Sequence, residues 1–418
     1  MEPRRPTKTR AVRGALAAVV TIGALSVFGG AALLLTEATA VAAHPRPSPS
    51  PTPTATPTPS PTPTPTPTPT PAPSSGWSIA SSPSPDPYAN RLNSLAAISG
   101  SDVWAVGTAG ANTLAEHWNG SSWSIVSTPN PAGSGIQAQL LGVTAVTSSN
   151  VWAVGFSASP TTDYATLAEH WDGSAWSIVP TPNPPGLPTV SLNAVAAISA
   201  SDIWAVGGNP PSQSGYSGQA LLEHWNGSTW SIVAVPPSTA TWFASSRFGL
   251  AAVARTDVWA VGNYDSFRWD GTAWSVVQGA QSTVAASSAG PTSVWAVGSY
   301  TTGSYGYNAT YTLAYLWNGS SWVQTSTVTP TFADSFQGVS ARASSDVWAV
   351  GASGRSTLTE HWDGSSWKVE PSPNASTASN AYNDLDAVAA IAGNDVWAVG
   401  YYFDAAGNQL TLTEHYAG

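Results

Sequence analysis

The chain has 418 residues, with 21 tryptophans, no cysteine and only 9% charged residues. Without cysteine there are no disulfides, no thiol nucleophile and no Cys-ligated metal. From Gly76 onward 7 Lys and Arg face 21 Asp and Glu, a formal charge of −14 that repels phosphate backbones, so no nucleic acid is expected as a partner.

In chain order, residues 1–43 read as an export segment. Arg4, Arg5, Lys8, Arg10 and Arg13 form a basic start, an apolar run extends from Gly14 to Leu35, and Ala40-Val41-Ala42-Ala43 offers small residues for cleavage. This is the pattern of a signal peptide, and the run is also long enough for a retained membrane signal-anchor. Both readings put the rest of the chain outside the cytoplasm, secreted or at a cell surface, with the membrane met only through this segment. Residues 44–75 are almost entirely Pro, Thr, Ser and Ala. Proline locks φ and removes the amide N–H, so an extended polyproline II linker is expected, reaching on the order of 90 Å at about 3.1 Å per residue.

Residues 76–418 carry seven copies of Val/Ile-Trp-Ala-Val-Gly, centred on Trp104, Trp152, Trp204, Trp259, Trp295, Trp348 and Trp397 and spaced 36 to 55 residues apart. A period near 50 built from short strand-like runs predicts an all-β fold, a seven-bladed β-propeller. In the first unit, strand A is an alanine-rich run around Leu95-Ala96-Ala97-Ile98. Strand B is Val103–Gly107, strand C is Thr113–Trp118, and strand D begins at Trp123. Asn-Gly or Asp-Gly joins C to D in six units, the pair best suited to a hairpin turn with φ > 0. The seventh unit stops at Glu414-His415-Tyr416-Ala417-Gly418 without a strand D, and the missing piece appears as Gly76-Trp77-Ser78-Ile79-Ala80. An N-terminal strand therefore completes the last blade and closes the ring, removing two exposed sheet edges. Twenty of the 21 tryptophans fall on repeat positions in strands B, C and D, where they are read as core between blades; only Trp242 does not.

Strand C carries Glu116-His117, Glu169-His170, Glu223-His224, Glu360-His361 and Glu414-His415, and an Asp such as Asp102 precedes strand B. Chemistry is needed once, whereas this set is used five times. Adjacent strand residues also face opposite ways. These residues are therefore expected to form a repeated hydrogen-bond network that locks blades together, with no catalytic residue, no metal site and no cofactor.

The A–B and C–D turns are short and uniform, while the B–C and D–A connections on the opposite end vary in length and sequence. Variation confined to one end of a fixed scaffold marks a binding face. Trp242, Tyr264, Tyr300, Tyr305, Tyr307, Tyr401 and Tyr402 give it aromatic faces among Ser, Gly and Asn, and Arg268 in a diverged blade offers an anion contact.

The Trp-rich repeat and the ring closure resemble kelch and galactose-oxidase-type propellers, and Asp172-Gly173-Ser174-Ala175-Trp176 looks like the Asp-box hairpin of sialidase-like propellers. The resemblance implies architecture rather than an activity, and the absence of cysteine excludes the Tyr–Cys copper centre of galactose oxidase. A secreted bacterial protein of this kind is expected to be a monomeric, non-enzymatic binding module for an extracellular glycan or protein. The alternatives are a glycosidase or lyase on the same scaffold and a passive surface protein. Arg91, Arg247, Arg255, Arg268 and Arg342 sit at unlike positions in their units, so a converging arginine triad is not expected. Asp163, Asp265, Asp384, Asp386 and Asp404 are non-repeat acids from which a catalytic pair would have to come, and no spacing singles one out.

Overall fold

The computed structural model describes residues 76–131, 137–159, 162–185, 189–209, 219–235, 247–263, 266–303 and 308–418. The expected export segment and the Pro/Thr-rich linker lie outside them. The described residues form seven four-stranded antiparallel sheets, each with its strands side by side in the order A-B-C-D. Blade 1 has strand A at Asn90–Ser99, B at Asp102–Ala109, C at Asn112–Trp118 and D at Trp123–Ile125. Blade 7 takes Asn383–Ala392, Asp395–Phe403 and Gln409–Ala417 from the C-terminal region and Gly76–Ala80 as its strand D. The closing strand pairs in register from Gly76 opposite Ala417 to Ala80 opposite Thr413. The ring thus closes as the incomplete seventh unit predicts.

The core lies between blades, so both faces of each inner sheet are dry. Val103, Trp104, Ala105 and Val106 are all buried, in place of the in–out alternation of a half-exposed strand. Each strand-B tryptophan is gripped by the strand-C and strand-D aromatics of the next blade. Trp104 meets Trp171 and Trp176 with ring centroids 5.0 and 5.3 Å apart, the second edge-to-face. The same grip joins Trp152 to Trp225 and Trp230, and Trp204 to Trp269 and Trp274. At the seam, Trp348 meets Tyr416 and the N-terminal Trp77, and Trp397 meets Trp118 and Trp123 of blade 1.

Two glycine positions of the repeat have distinct causes. The turn glycines Gly120, Gly173, Gly227, Gly271, Gly319 and Gly364 have φ between 93° and 98°, which a side chain strongly disfavours. The last residue of the pentapeptide is glycine for lack of room. A Cβ on Gly107, Gly155, Gly207, Gly298, Gly351 or Gly400 would collide with a carbonyl in or just before strand A of its own blade, such as that of Arg91 for Gly107. Closer to the axis, neighbouring A strands nearly touch, and Gly142, Gly249 and Gly338 leave no space for a side chain beside the next blade's backbone.

Trp77 is 7% exposed and is the D-strand half of the grip on Trp348. Trp77→Ala is expected to cost about 3–5 kcal/mol of stability, and deletion of residues 76–80 to leave Gln409–Ala417 as an open edge that aggregates. Thermal melting and size-exclusion chromatography check both. An unchanged melting curve in the deletion variant overturns the closure account.

Candidate functional site

The two ends of the ring differ in kind. At the A–B and C–D end, His117 Nε2 lies 2.8 Å from Asp102 Oδ1, His224 2.8 Å from Asp202, His361 2.9 Å from Asp346 and His415 2.9 Å from Asp395. Blade 2 uses Asn150 in place of the Asp, 3.0 Å from His170. Each imidazole also lies against its own strand-B tryptophan, as His117 does on Trp104 with centroids 4.5 Å apart. These bonds run within a blade, tying strand C to the A–B turn. The expectation of a lock between blades is corrected on this point: both partners come from the same sheet, and the tryptophans make the inter-blade contact.

The glutamates do not belong to this network, a second correction. Glu116, Glu169, Glu223, Glu360 and Glu414 are fully buried on the opposite face of strand C. Both carboxyl oxygens of Glu116, Glu169 and Glu223 lack a hydrogen-bond partner, and Glu360 accepts one bond, from Val328 N–H at 3.1 Å. Burial pushes Glu116, Glu169, Glu223 and Glu360 up to about 8 and Glu414 well above the ordinary carboxyl value. At neutral pH these side chains are buried as acids, not as charges.

The loop end is where the blades stop being alike. B–C turns and D–A connections share it: Gly110 N–H donates to Ala89 O and Gly354 N–H to Ala333 O. In six blades strand A carries a bulge near this end. Asn93, Leu141, Asn193, Val284, Gln337 and Asp386 are skipped in the pairing with strand B. A bulge re-aims its side chain, and all six residues line a cavity of about 250 Å3 on the ring axis, joined by Arg247 and Phe248 of blade 4.

One sector of this axial mouth is charged. Arg91 of blade 1 donates from Nε to Asp386 Oδ2 at 2.7 Å and from Nη2 to Oδ1 at 2.5 Å. Arg247 reaches the same Oδ1 from Nη2 at 3.1 Å and donates from Nη1 to Gln337 Oε1 at 2.8 Å. The Arg91 guanidinium lies 4.5 Å over the ring of Tyr401, which neighbours Tyr382 and Phe403. Asp384 is 4% exposed, and its Oδ1 has no hydrogen-bond partner. Burial first, and then the charge of Asp386, push Asp384 up to about 7 against the opposing pull of Arg91 and Arg247. The Tyr382 and Tyr401 phenols are pushed up by burial and by Asp384.

The residues singled out from the sequence fall in different places. Trp242, Tyr264, Tyr305, Tyr307, Asp265 and the side chain of Asp163 lie outside the described residues. Tyr300 is 41% exposed and sits in a strand, paired across blade 5 with Tyr311, so part of that expected loop is a longer hairpin. Tyr401 supports Arg91, while Tyr402, one residue on, turns into the core beside Leu385 and Leu412. Arg268 lies at the other end, where its Nε donates to Asp257 Oδ1 at 2.8 Å and takes over the histidine's link. Asp404 caps its own turn through Ala406 and Asn408. Arg91 and Arg247 do converge, as a pair and not a triad: Arg255 pairs with Asp202 and Arg342 with Asp346. Sequence reading passed over Tyr88 and Phe332, which at 71% and 74% exposure are the most exposed aromatics of the D–A connections among the described residues. Among the described residues no group of His, Asp and Glu is arranged to hold a metal.

No protein-family profile and no curated protein matches the chain. Solved structures match the ring. The structure of U3-55K aligns with TM-score 0.53 at 8% identity, covering 81% of this chain and 98% of that one. The GH74 xyloglucanase from Xanthomonas campestris aligns with TM-score 0.53 at 12% identity, covering 81% of this chain and 55% of that one. YCF48 from Cyanidioschyzon merolae aligns with TM-score 0.49 at 16% identity, covering 82% and 98%. Identities this low show the propeller fold alone; they carry neither the kelch nor the Asp-box likeness. They do overturn the expectation that the chain is not an enzyme. A ring of the same architecture is part of a glycoside hydrolase, so the scaffold is compatible with catalysis, although no activity is established by it.

The buried glutamates set a pH dependence. Their folded values near 8 lie above the ordinary carboxyl value of 4.5, so the folded chain holds more protons between these limits. Stability is therefore expected to fall as pH rises from about 5 to about 8 and to level off above. In thermal melts Glu169→Gln is expected to match wild type at pH 5 and to be more stable at pH 9, by on the order of 1–4 kcal/mol.

Proposed function

We propose that the chain is an exported glycan-recognition protein that seats a saccharide on the loop end of the ring, at the axial mouth where Arg91 and Arg247 meet Asp386. The observation that carries this reading is convergence. Arg91, Arg247, Gln337 and Asp386, which follow no repeat rule, come from blades 1, 4, 6 and 7 to one hydrogen-bonded cluster, and Arg247, Gln337 and Asp386 of it line the axial cavity. Exposed Tyr88 and Phe332 at the same end supply apolar faces of the kind on which sugar rings rest. The basic start and apolar run of residues 1–43 support export, and the charge of −14 supports a partner other than nucleic acid.

A second reading has its own observation. Asp384, pushed up to about 7 chiefly by burial, stands near Asp386, which accepts hydrogen bonds from two arginines. Two carboxyls of unequal acidity are the means by which glycan-cleaving enzymes separate acid from base. In the present geometry Asp386 is fully engaged by Arg91 and Arg247, so Asp384 is the group able to hand a proton to a leaving oxygen.

One experiment addresses both: the chain is incubated with an array of plant and microbial polysaccharides, and bound material and released oligosaccharides are measured. Specific binding is expected, weakened about tenfold by combined Tyr88→Ala and Phe332→Ala with no change in melting temperature. A blank array overturns the glycan reading. Release of oligosaccharides that stops on Asp384→Asn establishes the cleaving one.

A further inference from the structure

The floor of the axial cavity is apolar, unlike its rim. Strand A enters from the loop end, and its residue opposite the alanine of the pentapeptide lies two positions deeper than the bulged one, as Leu95 opposite Ala105 does below Asn93. In six blades that residue is a branched aliphatic: Leu95, Val143, Val195, Leu250, Val339 and Val388. Each is 7 or 8% exposed, whereas the strand-B valines behind them are at most 1% exposed. All six line the cavity, and among the described residues its lining goes no further along strand A. The cavity is thus a well that ends on an apolar collar. Blade 5 breaks the collar. Ala286, opposite Ala296, holds the same place and also lines the cavity. Crowding between blades does not require this alanine. Gly249 of blade 4 is pressed against Ala285 and Ala286, but Gly142 is also pressed against Ala194 and Gly338 against Ala387, and those blades carry Val195 and Val388. Beside Leu250 and Val339 the collar therefore lacks the γ-methyl groups of a valine, and a notch is left. At the rim, Arg247 of blade 4 donates to Gln337 of blade 6 at 2.8 Å, so polar groups from both neighbours of blade 5 stand over an apolar gap.

We infer that the sugar taken by this well is a chain end that carries a methyl group, with the methyl seated in the Ala286 notch and the ring hydroxyls at the Arg247–Gln337 rim. The inference rests on the glycan reading above and narrows its substrate class. A hydroxymethyl group in the notch would bring a hydroxyl among the hydrocarbon side chains of Leu250, Ala286 and Val339, where its hydrogen bonds to water are lost and not replaced. A methyl group has no such bonds to lose and removes apolar surface from water. The cavity of about 250 Å3 is smaller than the ~300–1,000 Å3 of pockets that enclose drug-sized ligands, a size suited to one sugar ring. Only the end of a chain reaches the floor of a well that closes below it. Two kinds of sugar bring a methyl group: 6-deoxyhexoses carry it on the ring, and N-acetylated hexosamines carry it at the tip of the acetyl group.

The test is calorimetric titration of the full-length chain with two matched pairs of free sugars, L-rhamnose against L-mannose and N-acetylglucosamine against glucose. In at least one pair the methyl-bearing sugar is expected to bind about tenfold more tightly than its partner, the usual worth of one such group in an apolar pocket. The pair that responds identifies the source of the methyl. Ala286→Val, which restores the residue type of the other blades, is expected to bring that pair to within about twofold and to leave the weaker member's affinity and the melting temperature unchanged. Should this variant fail to fold, Ala286→Ser decides: the notch keeps its size, gains a hydroxyl and is expected to lose the preference. Equal affinities within both pairs, or a preference that the folded Ala286 variant retains, overturns the inference. Polysaccharide binding that is weakened by Tyr88→Ala and Phe332→Ala, with no methyl preference in either pair, leaves the glycan reading standing and removes this one. Absence of binding to the polysaccharides and to all four sugars removes both.

Discussion

Every other feature of this ring depends on the grip of one blade on the next through tryptophan. A strand-B indole of one blade meets two aromatic rings on strands C and D of its neighbour, at centroid distances of 4.7 to 5.6 Å in blades 1 to 4. Edge-to-face and tilted aromatic pairs contribute about 0.5–1.5 kcal/mol each beyond the area they bury. A single blade cannot make this contact with itself, so an isolated blade has no core. The consequence is circular: the last blade must meet the first, and Trp397 with Trp118 and Trp123 makes that contact. The N-terminal strand serves the same constraint, since Trp77 supplies one jaw of the grip on Trp348.

The grip also explains where polar groups go. With both sheet faces dry, strand C buries one glutamate per blade in five blades, and these survive as uncharged acids because ionisation in that setting is costly. The histidine beside each one points the other way and finds the A–B turn, so it stays half-exposed and bonded. Blade 4 replaces His with Arg268 and keeps the link to Asp257. Change of residue there preserves a structural bond at the end of the ring away from the cavity.

The site arises from the opposite tendency. Near the axis the A strands crowd so closely that glycine or another small residue is needed where neighbours touch, and the adjoining position is forced into a bulge. That bulge frees one side chain from sheet pairing in each of six blades and points it at the axis. Repetition of the scaffold thus creates a circle of six positions whose side chains border the axial cavity. Asn93, Leu141, Asn193, Val284, Gln337 and Asp386 occupy these positions and differ in kind from blade to blade.

The sequence by itself determined the all-β class, the number of blades, the closing strand and the turn glycines. Each of these follows from spacing and local backbone rules that act within about 50 residues and are repeated seven times. The break in the last unit disclosed the closure for the same reason: a missing strand in a repeat is visible by subtraction. Only the tertiary structure decided the mouth. Arg91, Arg247, Gln337 and Asp386 lie in four different blades, with Arg91 and Asp386 separated by 295 positions in the chain, and no period relates them. The sequence held one usable signal, the variable residue between an apolar and a small one in strand A, as in Leu92-Asn93-Ser94 and Leu385-Asp386-Ala387. Its meaning depends on a bulge that appears only when seven A strands converge. The buried state of the glutamates was likewise settled by packing, because the faces of strand C become unequal only once the next blade covers one of them.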